Sequence, residues 1–166
     1  MDPRRQDEFT PNENLTKVER TSDREVIVTR TFDAPAHLVF EAWSKPELFK
    51  RWWVPKSMGM TLRSCEMDVR TGGTYRLGFG DGMDFFGKYL EVTPPSRIVW
   101  TNDEGGENGS VTTVILTETD GKTLLVVSEL FPSKEALEAD GGGAADAMHE
   151  TLGQLAELLV ELASTS

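Results

Sequence analysis

A single cysteine, Cys65, stands among 166 residues, which leaves no intrachain disulfide and no multi-cysteine metal site. Its neighbours Leu62, Met67 and Val69 mark it as a strand residue, an inert thiol among apolar side chains. Histidine is nearly as scarce. His37 and His149 are the whole complement, too far apart for a recognised metal-ligand spacing, so neither a metal nor another cofactor is expected. Positive charge is missing from the last part of the chain. No Lys or Arg follows Lys134, whereas Glu135, Glu138, Asp140, Asp146, Glu150, Glu157 and Glu161 all do. With 28 acidic and 17 basic residues the formal net charge is −11. A surface that acidic repels phosphate backbones and anionic bilayers, which sets aside nucleic acid and membrane as partners. The densest apolar run, Leu124 to Val127, is far short of the ~20 residues that span a bilayer. The opening Met1-Asp2-Pro3-Arg4-Arg5 leads into polar residues instead of a signal-peptide core, so a cytoplasmic location is expected.

What is present is an ordinary globular composition, 38% hydrophobic and 27% charged, at a length that buries one core without covalent staples. Residues 1–22 are polar, carry Pro3 and Pro11, and keep no period; they read as a disordered tail before one domain at 23–163. The β-branched run Glu25 to Phe32 predicts a strand. Asp33-Ala34-Pro35 ends it and opens a helix with Leu38, Val39, Ala42 and Trp43 on one face. Ser44-Lys45-Pro46 breaks and restarts that helix, with Ser44 as its cap. A second short helix carries Leu48, Phe49, Trp52 and Trp53 until Pro55 stops it. From Met60 onward strands alternate with glycine-bearing turns: 61–69, 74–79, 84–92, 97–101, 111–118 and 122–131. Asp120-Gly121 joins the last two as a tight hairpin, because both residues tolerate positive φ. Connections this short leave no room for crossover helices, so the pairing is antiparallel. Met148, Leu152, Leu155, Leu159 and Leu162 then recur at helical spacing, beside a small-residue stripe of Gly153, Ala156, Val160 and Ala163.

The order strand, two short helices, six strands, long helix resembles the helix-grip fold of the SRPBCC superfamily, which includes START and Bet v 1-like proteins. Local blocks are similar to its bacterial branch related to the C-terminal domain of the activator of Hsp90 ATPase. Those blocks are Arg30-Thr31-Phe32-Asp33-Ala34-Pro35, Val39-Phe40-Glu41-Ala42-Trp43 with Pro46-Glu47, Trp52-Trp53-Val54-Pro55, Asp68-Val69-Arg70-Thr71-Gly72-Gly73, and Gly87 through Val99. The resemblance implies an α+β fold: a curved antiparallel sheet of about seven strands wrapped on a long C-terminal helix, with two short helices after the first strand. It also implies a cavity between sheet and helix, where many relatives hold lipids, hormones or polyketides. No catalytic set carries over. The Hsp90 role belongs to a larger protein with a further N-terminal domain, for which residues 1–22 are too short.

The candidate ligand-binding residues are Trp43, Trp53, Phe79, Phe85, Tyr89, Met148, Leu152, Gly153 and Ala156, an aromatic surplus facing a helix stripe in which Gly153 leaves room. The reading is a binder of a small apolar molecule, lipid-like or aromatic. Simple core packing of the tryptophans, and close helix–strand contact at Gly153, are the alternatives. A second reading is an enzyme of polyketide cyclase type, for which Glu41, Arg63, Glu129 and His149 are the polar candidates, none placed by a motif. A third is a co-chaperone-like interaction module. Alternation puts Phe85, Gly87 and Tyr89 on one face of their strand and Phe86, Lys88 and Leu90 on the other. The second face suits a homodimer contact. Gly78-Phe79-Gly80-Asp81-Gly82 is a turn and not a phosphate loop, since no Lys-Ser/Thr follows it.

Overall fold

Asp120 and Gly121 take φ of 55° and 79°, the left-handed pair that a two-residue hairpin requires. They join β7 (Val111–Thr119) to β8 (Lys122–Leu130), which pair antiparallel from Thr119↔Lys122 to Val111↔Leu130. The remaining strands are β1 (Lys17–Arg20), β2 (Glu25–Phe32), β3 (Ser64–Met67), β4 (Thr74–Gly78), β5 (Asp84–Thr93) and β6 (Arg97–Thr101). Together they form one curved, unclosed antiparallel sheet in the order β1-β2-β8-β7-β6-β5-β4-β3. This computed structural model describes residues 16–59, 62–79, 84–103, 109–141 and 143–165. The turn at 80–82, most of the polar loop after Asn102 and residues 1–15 of the predicted tail lie outside the described residues.

The sheet has eight strands where the sequence predicts about seven. The additional one is β1, in the stretch read as tail. All four of its residues are exposed, so it leaves no apolar pattern; it is held by backbone pairing to β2, from Lys17↔Thr29 to Arg20↔Val26. The strand predicted over 61–69 is shorter, Ser64–Met67. A register shift between Tyr89 and Glu91 marks an irregularity in the β5–β6 pairing, the kind of extra residue that bends a strand and deepens curvature. Gly87 serves the same closeness: a Cβ there would run into the Thr101 carbonyl and the Tyr75 ring.

The helices are α1 (Ala36–Ser44), α2 (Pro46–Trp52), α3 (Lys134–Asp140) and the long α4 (Gly143–Thr165), with a 3₁₀ turn at Lys56–Met58. Ala36 N–H donates to Glu118 Oε1 at 2.8 Å, which satisfies one of the open donors of the first turn of α1. Ser44 does not cap α2. Its hydroxyl turns back to the Phe40 carbonyl at 2.8 Å, and Pro46 starts α2 instead. Ser133 caps α3, accepting from Ala136 N–H at 3.0 Å, and Gly141 ends it at φ 63°. Leu152, Leu155 and Leu159 of α4 are buried in one core with Val39 and Trp43 of α1 and Val114, Leu125 and Val127 of the sheet.

Gln154 fixes where α4 lies. Only 8% exposed, it donates through Nε2 to the carbonyls of Trp52 and Val54, each at 2.9 Å, and accepts from Lys56 N–H at 2.8 Å. One turn earlier Glu150 accepts from the Ser57 hydroxyl at 2.6 Å and from Ser57 N–H at 2.9 Å. The segment after α2 is thereby tied to one side of the helix.

Candidate ligand cavity

Strand alternation directs Tyr75 and Leu77 of β4, Phe85 and Tyr89 of β5, and Ile98 and Trp100 of β6 to the concave side of the sheet. Opposite them, α4 presents Ala147, Met148 and Thr151, and α1 presents Trp43. Phe49, Trp53, Val54, Pro55 and Met58 complete the wall on the α2 side. The enclosed space is about 410 Å³, within the ~300–1,000 Å³ of small-molecule sites. Exposed Met58, Phe85 and Asp140 mark its mouth.

The aromatic wall is internally braced. Phe49 stacks on Trp53 at 4.7 Å between ring centroids, and Trp43 meets Trp52 edge to face at the same separation. Trp52 is core, 1% exposed, with its Nε1 donating to the Ala42 carbonyl at 2.9 Å. Trp43 is also buried, yet its Nε1 has no hydrogen-bond partner among the described residues. The consecutive Trp52 and Trp53 point apart: Trp52 fills the core and Trp53 faces the cavity.

Asn102, Thr112 and Glu129 form a polar region on the sheet side of the cavity. Asn102 is its hub. Its Nδ2 donates to the Ser110 hydroxyl at 3.0 Å and the Thr112 hydroxyl at 2.9 Å, and its Oδ1 accepts from Tyr75 Oη and Trp100 Nε1, each at 3.2 Å. The Ser110 hydroxyl in turn donates to Glu129 Oε2 at 2.6 Å. Glu129 and Thr112 face each other across the β7–β8 ladder. Burial pushes the Tyr89 phenol above its ordinary range, with smaller contributions in the same direction from Cys65 and Asp68.

Six of the sequence candidates converge here: Trp43, Trp53, Phe79, Phe85, Tyr89 and Met148. Leu152, Gly153 and Ala156 are not among the lining residues. They lie further along α4, where the helix has closed on its neighbours: Leu152 is fully buried, Gly153 buried and Ala156 half-buried against the core. The helix lines the cavity with Ala147, Met148 and Thr151, and Gly153 belongs to the packed part. Of the polar candidates Glu129 alone is in the lining. Glu41 is on α1, 3.6 Å from Lys45; Arg63 is exposed before β3; His149 is exposed on α4. Sequence reasoning missed Tyr75, Trp100, Asn102 and Thr112. The first two were signalled by alternation with Leu77 and Ile98, whereas Asn102 and Thr112 carried no pattern.

Cys65 is half-buried, 3.8 Å from the Pro46 carbonyl oxygen and 3.5 Å from Met67 Sδ. Burial pushes its thiol up, partly opposed by the Lys50 charge, which keeps it protonated and unreactive. Among the described residues no helix is long and apolar enough to cross a membrane.

A cavity between a curved antiparallel sheet and a terminal helix defines the helix-grip class, the SRPBCC or Bet v 1-like superfamily. Within it, the chain belongs to the Activator of Hsp90 ATPase homolog 1-like family, whose model matches residues 33–160. The fold is similar to that of a Rhodobacter sphaeroides protein, with a TM-score of 0.77 at 21% identity, covering 89% of this chain and 99% of that one. A Staphylococcus epidermidis protein gives 0.69 at 28% identity, covering 87% and 94%. An HSP90 activator from Plasmodium falciparum gives 0.61 at 21% identity, covering 82% and 96%. No curated protein matches the sequence.

Proposed function

We propose that this protein binds a small apolar molecule, lipid-like or aromatic, in the cavity between the sheet and α4. The observation that carries the reading is an aromatic-walled space of about 410 Å³ that the protein's own side chains leave unfilled. Interiors are close-packed, and a space this large lined by Trp, Tyr and Phe is uneconomic unless something occupies it.

The test is native mass spectrometry together with tryptophan fluorescence against a library of lipids and aromatic compounds. A one-to-one adduct and a saturable fluorescence change support the proposal, because Trp43, Trp53 and Trp100 all line the space. Absence of both across the library would remove its basis.

The family's description supports a second reading, a co-chaperone-like interaction module. Its readout is independent of any ligand: addition of this protein would raise the ATPase rate of Hsp90. A cyclase-type enzyme draws support only from Glu129, the one polar candidate in the cavity.

A further inference from the structure

Three aromatic side chains that the sheet contributes to the cavity carry a polar hydrogen: Tyr75, Tyr89 and Trp100. The protein itself engages two of them. Tyr75 Oη donates to the Thr101 carbonyl at 2.8 Å, and Trp100 Nε1 donates to Asn102 Oδ1 at 3.2 Å. Tyr89 differs. Its ring packs beside Tyr75, 5.6 Å between centroids, but among the described residues nothing hydrogen-bonds to its Oη. Tyr89 is 5% exposed, and the space it borders is the cavity. Unlike Trp43 Nε1, its oxygen is not sealed off by neighbouring atoms.

A second hydroxyl stands in the same condition on the helix side. Thr151 of α4 lines the cavity, is 3% exposed, and makes no side-chain hydrogen bond among the described residues. Native interiors supply partners for nearly all buried polar groups, so two open hydroxyls bordering one apolar space point to a guest that supplies them. The walls also constrain the charge of that guest. No Lys, Arg or His is among the described lining residues, so an anion would leave water with no opposite charge to meet it. Burial disfavours the Tyr89 phenolate, which keeps the group a neutral O–H donor at physiological pH.

We propose that Tyr89 is the polar anchor of the cavity, donating its phenolic hydrogen to an uncharged oxygen acceptor, a ketone or ester carbonyl, on an otherwise apolar guest. This rests on the ligand-binding reading above and narrows it to neutral, carbonyl-bearing molecules. Carboxylates are disfavoured, and a hydrocarbon of the same shape gains nothing from Tyr89.

Three probes of nearly one shape separate the cases: benzylacetone, its analogue with a methylidene group in place of the carbonyl oxygen, and hydrocinnamate. Each is titrated calorimetrically into the full chain and into Tyr89→Phe at neutral pH. The ketone is expected to bind about three- to tenfold more weakly to the variant, the alkene equally to both proteins, and the acid most weakly to wild type. An unchanged ketone affinity in Tyr89→Phe, or an equal loss for ketone and alkene, overturns the anchor and leaves the apolar cavity reading standing. An acid that binds wild type as tightly as the ketone overturns the restriction to neutral guests. Binding of none of the three overturns both readings. Infrared spectroscopy of isotopically labelled benzylacetone gives a second measurement should Tyr89→Phe fail to fold. In wild type and in Thr151→Val the bound carbonyl stretch should lie below its position in hexane, and an unshifted band would overturn the anchor.

Discussion

Trp43 and Trp52 touch edge to face at 4.7 Å, yet only one has its indole N–H satisfied: Trp52 donates to Ala42, whereas Trp43 Nε1 is buried without a partner among the described residues. The two rings therefore respond differently to the same change. Trp52→Phe strands the Ala42 carbonyl and opens a hole in the core, and should cost about 1–3 kcal/mol. Trp43→Phe removes an unpaired donor from a wall that already borders empty space, and should cost less. Urea denaturation of both variants measures the difference; equal losses would contradict it.

Gln154 replaces what would be an apolar contact with three hydrogen bonds to the segment after α2. Gln154→Leu keeps most of the volume but leaves two carbonyls and an N–H unpaired in a buried place. A loss of roughly 2–4 kcal/mol is expected. Hydrogen exchange at residues 52–57 should accelerate more than in β7 and β8.

Ala147 is the smallest side chain that α4 contributes to the cavity. Ala147→Phe projects a ring into the open space, where it meets the room that overpacked cores lack. Binding of apolar guests should drop by about tenfold or more while the denaturation midpoint is held or raised. A variant that binds as before would place the guest elsewhere.

The raised pKa of Tyr89 has a defined consequence at alkaline pH. Burial disfavours its ionised form, so the folded state keeps the phenolic proton to higher pH than the unfolded chain does. The resulting stability is fully present below the unfolded pKa, about 10, and is lost as pH rises from there towards the folded value. The wild-type protein should therefore lose stability above about pH 10 more steeply than Tyr89→Phe. Urea midpoints across that range, compared between the two proteins, would show parallel decline if the phenol contributed nothing.

Much of the fold was legible because its signals are local. The Asp120-Gly121 turn, the β-branched run of β2 and the leucine period of α4 each report a backbone preference that the structure realises. β1 was hidden for a physical reason: Lys17, Val18, Glu19 and Arg20 are all exposed, and a strand held only by backbone pairing writes no hydrophobic pattern. The cavity was half legible. Alternation along β4 to β6 indicates which rings face inward, and helical periodicity indicates which face of α4 is apolar. Neither says how far along the helix the sheet begins to diverge, which is why Leu152, Gly153 and Ala156 were expected beside Met148 where Ala147 and Thr151 stand. The bond between Ser110 and Glu129 joins residues 19 apart in sequence through the ladder register, and nothing local encodes it.

Among the described residues the sheet does not close, and its two margins are four-residue strands: β1, bearing Lys17, Glu19 and Arg20, and β3, bearing Glu66. Another chain seeking to zip onto either rim would find few backbone groups to engage and would have to bring its own strand alongside these charges. An architecture that keeps its hollow by staying open is in this way discouraged from polymerising through its borders.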